Sequence, residues 1–358
     1  MLEEILAKSE WTKEDLITLL SIEDSEELKK LYEAAYKMKV EKIGNKVFYR
    51  GIVEFSNYCI KNCNYCGIRK DNNSVERFIL DRESILKSAQ WAYDNNYGSM
   101  VLQSGERQDE EYILFVEELI KDIKKIGDKS LRITLSLGEQ SEETYRRWYN
   151  AGAERYLLRI ESSTKSLYEK LHPEDHSFKE RVNCLTRLRN IGFQTGTGVM
   201  IGLPGQTVEN LADDILFFKE MDIDMIGMGP YVVHSDTPLG KEAINTKEEK
   251  TRRFEMGLKM IAVTRLFLKN VNIASTTALQ ALNPIGRELG LKAGANVIMP
   301  IITEGPNRKN YQLYDNKPCI DDNADECKNC LAGRIKSVGD EIAYGEWGDS
   351  KHFEEKQR

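Results

Sequence analysis

Cys59-Ile60-Lys61-Asn62-Cys63-Asn64-Tyr65-Cys66 puts three cysteines on one short loop, spaced x3 and then x2, directly after the apolar run Val47 to Phe55. Three thiolates on one short loop can hold three irons of a cubane cluster and leave the fourth iron open to an exchangeable ligand, whereas iron–sulfur sites usually recruit a fourth Cys. A zinc knuckle would need a fourth ligand close by, and the next histidine, His172, lies more than a hundred residues on. A disulfide does not suit a chain whose first residues, Met1 to Glu10, are acidic and helix-like rather than a signal sequence. The loop follows a strand, and in an α/β barrel the functional residues sit at the C-terminal ends of strands.

Working outward from the loop, short β-branched runs alternate with helical patterns, which argues parallel strands joined by right-handed crossovers. The strands read as Val47 to Phe55, Ser99 to Gln103, Arg132 to Leu137, Arg155 to Ile160, Gln194 to Ile201, Met225 to Met228, Val271 to Ser275 and Asn296 to Met299. Helices fill the gaps at Ser84 to Asn95, Glu110 to Lys125, Ser141 to Ala151, Phe178 to Asn190, Val208 to Met221, Lys247 to Leu268 and Arg287 to Ala293. Eight such units close a barrel. The fold class is therefore α/β: an N-terminal helical cap over residues 1–45, a (β/α)8 TIM-type barrel over 46–300 and a C-terminal extension over 301–358. In the cap, Thr12 followed by Asp15 resembles a capping pair before Leu16, Leu19 and Leu20.

Composition narrows the partners. The 358 residues carry a net charge of −7, with 51 Lys and Arg scattered among 58 acidic residues, so neither nucleic acid nor an anionic membrane surface is expected. No apolar run approaches the roughly 18 residues of a transmembrane helix, and the expected compartment is the cytoplasm. Of seven cysteines, six fall into two groups of three, which in a reducing compartment points to metal. Cys184, alone in a helical stretch, reads as a small buried hydrophobe.

Further polar groups recur at the strand ends: Ser104-Gly105-Glu106 after the second strand, Ser136 with Gly138 and Glu139 after the third, and Arg159 with Glu161 at the end of the fourth. The turn Gly198 to Thr207, which includes Gly202, lets backbone approach a ligand closely, although it is not G-x-G-x-x-G. Thr134, Arg159, Thr276 and Thr277 are polar where barrel interiors are usually packed with branched apolar residues, which suggests a cavity for an anionic or polar ligand. A buried Arg159 needs a partner. Arg181 reads either as a guanidinium for a ligand carboxylate or as a solvated helix-surface residue, and His234 as a residue that orients its loop. The second group, Cys319-x7-Cys327-x2-Cys330, lies in the polar segment Asp315 to Asn329 beyond the last strand, a position that argues against direct catalysis. It suits an iron–sulfur cluster, with a Cys3His zinc site through His352 as the alternative if the tail folds back.

The loop Cys59 to Cys66, with Tyr65 as its aromatic, resembles that of the radical S-adenosylmethionine (SAM) superfamily. Glu54 to Cys59, Val101 to Glu106, Thr134 to Glu139, Gly202 to Thr207, Gly294 to Pro300 and the C-terminal cysteine triad together resemble, within it, the [FeFe]-hydrogenase maturase family HydE. The resemblance implies a [4Fe–4S] cluster on Cys59, Cys63 and Cys66, with SAM on the open iron cleaved reductively to a 5′-deoxyadenosyl radical. It implies that Ser104, Gly105 and Glu106 receive the SAM ammonium, that Glu161 binds the ribose, that Arg181 pairs with the SAM carboxylate, and that Ser136 and the backbone at Gly202 complete the cofactor site. A second cluster, [2Fe–2S] or [4Fe–4S], is implied at Cys319, Cys327 and Cys330. The implied substrate is an organometallic iron–carbonyl–cyanide–cysteine complex supplied by the maturase HydG, with the product passed to HydF and the electron taken from a low-potential donor. Members of the family read Arg-His-Glu-Thr where this chain reads Arg159-Ile160-Glu161-Ser162, so the substrate end of the site is where it departs. The alternatives are methylornithine synthase, a biotin-synthase-like enzyme, or a non-catalytic iron–sulfur scaffold, which would not need Glu161, Arg181 or the Ser104-Gly105-Glu106 turn.

Overall fold

The computed structural model describes residues 2–303, 306–321 and 323–358. Eight parallel strands form its centre: β1 (Lys46–Ser56), β2 (Ser99–Ser104), β3 (Arg132–Ser136), β4 (Arg155–Leu157), β5 (Gln194–Thr197), β6 (Met225–Ile226), β7 (Asn272–Ile273) and β8 (Val297–Ile298). They pair in that order, β8 returns to β1 through Phe48↔Val297, and a parallel bridge Ala274↔Val297 joins the end of β7 to β8. The sheet therefore closes on itself as a TIM-type barrel. The strands are buried on both faces, as parallel strands flanked by helices must be.

Six strands, β3 to β8, are shorter than the sequence pattern predicts, and for two of them the structure shows how the ladder is interrupted. β4 stops at Leu157, and the chain rejoins its neighbour only at Glu161, whose backbone is left-handed (φ 64°) and whose N–H donates to Gly198 O at 3.0 Å. β5 breaks after Thr197, and Met200–Ile201 pairs instead with Gly229–Pro230 in a separate two-stranded ladder at the rim. Apolar residues resume beyond both breaks, at Leu158 and Ile160 and at Val199 to Ile201, so the pattern alone did not mark where the ladder stops. The structure adds the helices Lys165–Leu171, Pro238–Glu242, Thr277–Leu282 and Ala324–Ser337 to those expected. The last lies wholly in the C-terminal extension, and its polar composition hides a single buried stripe of Ala324, Cys327, Leu331 and Ile335. The Thr12–Asp15 capping box is present.

The C-terminal tail is built into the barrel. Glu341–Ile342 adds a parallel strand beside Lys46 and Val47, and the residues after it seal the floor. Arg155, with no side-chain exposure, pairs with Asp349 and donates to Trp347 O at 2.6 Å, while Arg50 Nη2 and Asn272 Nδ2 donate to Gly348 O at 3.1 and 2.9 Å. Gln194 brackets the same turn, donating to Asp349 Oδ1 and accepting from Ser350 N. His352 is engaged here too, bonded to Asp222 at 2.6 Å, which removes it as the fourth ligand of the C-terminal cysteines.

Two outcomes follow for stability. Removing Asp349 (Asp349→Ala) strands buried cations and should cost about 3 kcal/mol, read as a lowered denaturation midpoint. Asp214, fully buried under Ser163 N and Oγ (2.7 and 2.6 Å), has its carboxyl pushed by burial up to about 7. Its folded-state value lies above the ordinary one, so its contribution is full below about pH 4 and is lost as pH rises toward 7. Asp214→Asn should therefore raise the Tm at pH 8 relative to the native chain and lose that advantage by pH 4.

Candidate active site

Between β1 and the helix Arg82–Asp94 the chain has no long regular element, and side chains hold its shape. Arg77 spreads its guanidinium over five backbone carbonyls: Nη1 donates to Asn57 O (2.6 Å) and Ile68 O (2.9 Å), and Nη2 to those of Arg69 (2.6 Å), Asn72 (3.1 Å) and Lys70 (3.3 Å). Asn57 Nδ2 donates to Glu76 O and Asn310 O, both at 2.8 Å. Gly67 presses against the C-terminal extension, where a Cβ would meet Gln312 O at 2.2 Å. The cysteines thus sit on a loop fixed from inside by one arginine and from outside by the tail.

Burial pushes the Cys63 thiol up to about 12 and raises those of Cys59 and Cys66 as well. Three shielded thiols on one loop ionise readily only beside a cationic group, which cluster iron supplies. Cys59 Sγ already accepts from Lys61 N and Glu106 N, each at 3.4 Å. The donor set fits the cluster.

Next to Cys59 lies a buried pocket of opposed charges. Gly105 is required where it stands, because a Cβ would meet Tyr58 O at 2.2 Å. Its neighbour Ser104 donates Oγ to Gly105 O at 2.7 Å. Gly138 (φ +77°) leaves room for Glu106, whose Oε2 accepts from Glu139 N at 2.9 Å. Lys61 Nζ lies 3.1 Å from Glu139 and 3.6 Å from Glu106, and Arg181 Nε donates to the other Glu139 oxygen at 2.6 Å. Burial pushes the Glu106 carboxyl up to about 7 against the pull of Lys61; Glu139, buried too, is held below the usual carboxylate range by Arg181 and Lys61. Arg181 is 7% exposed, so it is not a solvated helix-surface residue. Two carboxylates and two cations meet in one pocket, the chemistry that a zwitterionic amino-acid group requires.

The pocket adjoins a cavity of about 210 Å³ inside the barrel mouth, lined among others by Tyr65, Ser136, Arg159, Glu161, Thr276 and Thr277. Arg159 is only half-buried, its side chain 32% exposed at the open mouth, and it is paired all the same: Nε and Nη2 donate to Glu161 Oε2 at 3.1 and 2.8 Å. Thr277 Oγ1 bonds Tyr314 Oη at 2.7 Å. Thr134 lies apart from this group, lining a void of about 20 Å³ below the cavity, with no hydrogen-bond partner for its hydroxyl among the described residues. At Gly202 (φ +81°) the N–H donates to Gln206 Oε1 at 2.7 Å, fixing the rim turn.

Several lining residues escaped the sequence reading. Lys317, from the tail, pairs with Glu54 of β1 at 2.5 Å, both buried. Arg287 faces the cavity and also reaches Cys319 Sγ at 3.7 Å. Cys319 packs on Ile52, Val101 and Ile301, so the second cysteine group touches the barrel rather than standing clear of it. The third omission is histidine. His172, set aside on sequence distance, comes together with His176 and Cys63, their ligand atoms all within 4.8 Å of one another. The helix Lys165–Leu171 delivers them, through Asn64 N bonding Leu171 O at 2.8 Å. Burial holds both imidazoles neutral, near 3 for His172 and 4 for His176. Arg77, Lys317 and these histidines carried no signal in hydrophobic pattern or motif.

A model of the radical SAM superfamily matches residues 53–218, from β1 into the helix Val208–Glu220. Fold and site together define a radical SAM enzyme, a class that implies a [4Fe–4S] cluster and SAM. The [FeFe] hydrogenase maturase subunit HydE of Thermotoga maritima is 43% identical over 349 residues, 97% of this chain and 96% of that protein. The chain belongs to the HydE family. It is also 30% identical over 317 residues to 3-methylornithine synthase of Methanosarcina acetivorans, covering 87% and 86% of the two chains. A crystal structure of methylornithine synthase (PylB) superposes with a TM-score of 0.79 at 26% identity, over 96% of this chain and 97% of that one. Among the described residues no helix is long and apolar enough to cross a membrane.

The loop geometry yields its own test. Arg77→Ala should leave the barrel folded by circular dichroism but lower the iron and sulfide retained after anaerobic reconstitution by at least half, because five carbonyl contacts that shape the cysteine loop are lost.

Proposed function

We propose that this chain cleaves SAM reductively and acts in maturation of the [FeFe]-hydrogenase active-site cluster, on an iron–carbonyl–cyanide–cysteine precursor. The observation that carries the proposal is the buried pocket of Lys61, Glu106, Glu139 and Arg181 beside the Cys59 loop, opening onto a cavity with arginines in its wall. When bound, the cluster on Cys59, Cys63 and Cys66 and the SAM beside it supply a 5′-deoxyadenosyl radical. The protein's part is placement. Glu106 and the Gly105 carbonyl receive the ammonium, and Arg181 and Lys61 the carboxylate; Glu161, locked in a left-handed backbone, presents its carboxylate to the ribose. Ser136 lines the passage to the cavity, where Arg159, Thr276, Thr277 and, one layer down, Thr134 offer donors to an anionic substrate. Tyr314 and Lys317 of the tail cover the mouth and exclude water.

The proposal extends to the working context, a cytoplasmic enzyme fed by HydG, delivering to HydF and reduced by a low-potential donor, and membership of the HydE family supports it. A second iron–sulfur cluster at Cys319, Cys327 and Cys330 belongs to the same proposal, supported by the contact between the Cys319 and Cys327 side chains and by Cys330 one turn along the same helix.

The deciding experiment follows 5′-deoxyadenosine by chromatography in the anaerobically reconstituted, reduced protein given SAM and the iron–carbonyl–cyanide–cysteine complex. Deoxyadenosine should rise severalfold with the complex, vanish in Cys59→Ala and persist in Cys319→Ala. Release indifferent to the complex would move the substrate toward an amino acid, as in methylornithine synthase, with Ile160 as the departure to pursue. No release would overturn the enzyme's assigned chemistry.

A further inference from the structure

His176 is a buried imidazole that stands unbonded among the described residues. Its side chain has no exposure, and neither ring nitrogen has a hydrogen-bond partner among the described residues. The nearest carboxylate oxygen, Asp175 Oδ1, stands 3.8 Å from Nε2, beyond hydrogen-bond range. A buried donor left unmet is costly, so an imidazole in this position implies an acceptor that it gains only when the neighbouring cysteine site is occupied. The ring is also held in place. It stacks on His172 at 5.2 Å between centroids, and His172 in turn stacks on Tyr168 at 4.0 Å.

His172 cannot be that acceptor's donor. Its Nδ1 lies 2.8 Å from Tyr168 O, a carbonyl that only accepts, so the ring proton is on Nδ1. Its Nε2 therefore carries the lone pair and faces Tyr65 Oη at 3.5 Å. His176 keeps an N–H in every protonation state and lies with Cys63 Sγ and a His172 nitrogen inside a 4.8 Å group. A group carried by Cys63 would therefore lie within reach of the His176 ring.

We propose that His176 donates its N–H to a sulfur of the group held by Cys63, either Sγ itself or an adjacent inorganic sulfide, and that His172 is the positioning residue that fixes the His176 ring. The inference rests on the reading that Cys59, Cys63 and Cys66 carry an iron–sulfur cluster. Hydrogen bonds to cluster sulfurs stabilise the more negative, reduced form and raise the reduction potential. His176 thus makes the cluster easier to reduce.

The test reads the cluster directly. In reconstituted, reduced protein carrying ¹⁵N-histidine, pulsed EPR should show a weak ¹⁵N coupling to the cluster that disappears in His176→Phe, a variant that keeps an aromatic ring against His172. At a fixed solution poise the His176→Phe protein should hold a roughly tenfold smaller ratio of reduced to oxidised cluster, equivalent to about 59 mV for a one-electron couple. His176→Gln, whose amide still donates, should recover most of that ratio. A wild-type cluster with no ¹⁵N coupling overturns the inference alone, and this readout stands whether or not the variants fold. A chain that assembles no cluster at all overturns it together with the reading on which it rests. Equal potentials in His176→Phe and wild type, with iron content unchanged, also overturn it.

Discussion

Val297 pairs with Phe48 on one side and bridges Ala274 on the other, and through those two contacts a parallel sheet becomes a ring. An open parallel sheet would leave unpaired N–H and C=O groups along both edges; closure removes the edges and gathers every strand C-terminus at one rim. A single buried arginine secures the junction. Arg265 donates to the carbonyls of Gly294, Lys269 and Val271 and to Asn296 Oδ1, at 2.7 to 2.9 Å, and Asn296 in turn accepts from Ile273 N. The cysteine loop, the charged pocket and the cavity all inherit their places from that closure.

Arg77 repeats the device at the rim. In both cases the guanidinium is met by backbone carbonyls rather than by a carboxylate, so a flexible connection is cast around a planar five-donor core. Other charges in the interior and at the barrel mouth are paired instead: Lys39 with Asp340, Arg155 with Asp349, Lys317 with Glu54, Arg159 with Glu161. Three of these pairs join the barrel or its N-terminal cap to the last fifty residues of the chain, where burying each ion is tolerable only because its partner is there. The tail is therefore a load shared between floor and mouth: Asp349 seals one end while Lys317 and Tyr314 line the other.

The site is assembled from backbone as much as from side chains. Gly105 and Gly138 exist so that Tyr58 and Glu106 can approach, and Glu161 holds a backbone conformation that costs a non-glycine residue about 1–3 kcal/mol. Strain of that kind persists when surrounding bonds over-determine it, and here the Glu161 N–H and carbonyl are both tied to the strand opposite, through Gly198 and Met200. A carboxylate so fixed needs no reorganisation to meet a ligand, which is the property that positioning demands.

The sequence by itself determined the cysteine loop, the alternation that makes a barrel, and the strand-end positions of Glu106, Glu161 and Arg159, because these depend on local spacing and on a periodicity of two or 3.6 residues. Where β4 and β5 stop was not legible, since apolar residues resume beyond both breaks and the interruptions are marked by the left-handed backbone at Glu161 and the close approach of Gly198 to Gly227. Only the tertiary structure decided that Arg77 shapes the loop, that the tail supplies Lys317 and Asp349, and that His172 and His176 stand beside Cys63. Those are meetings between residues remote in the chain or without a repeating pattern, and what brings them together is the closure of the ring and the burial of charges that must find a partner.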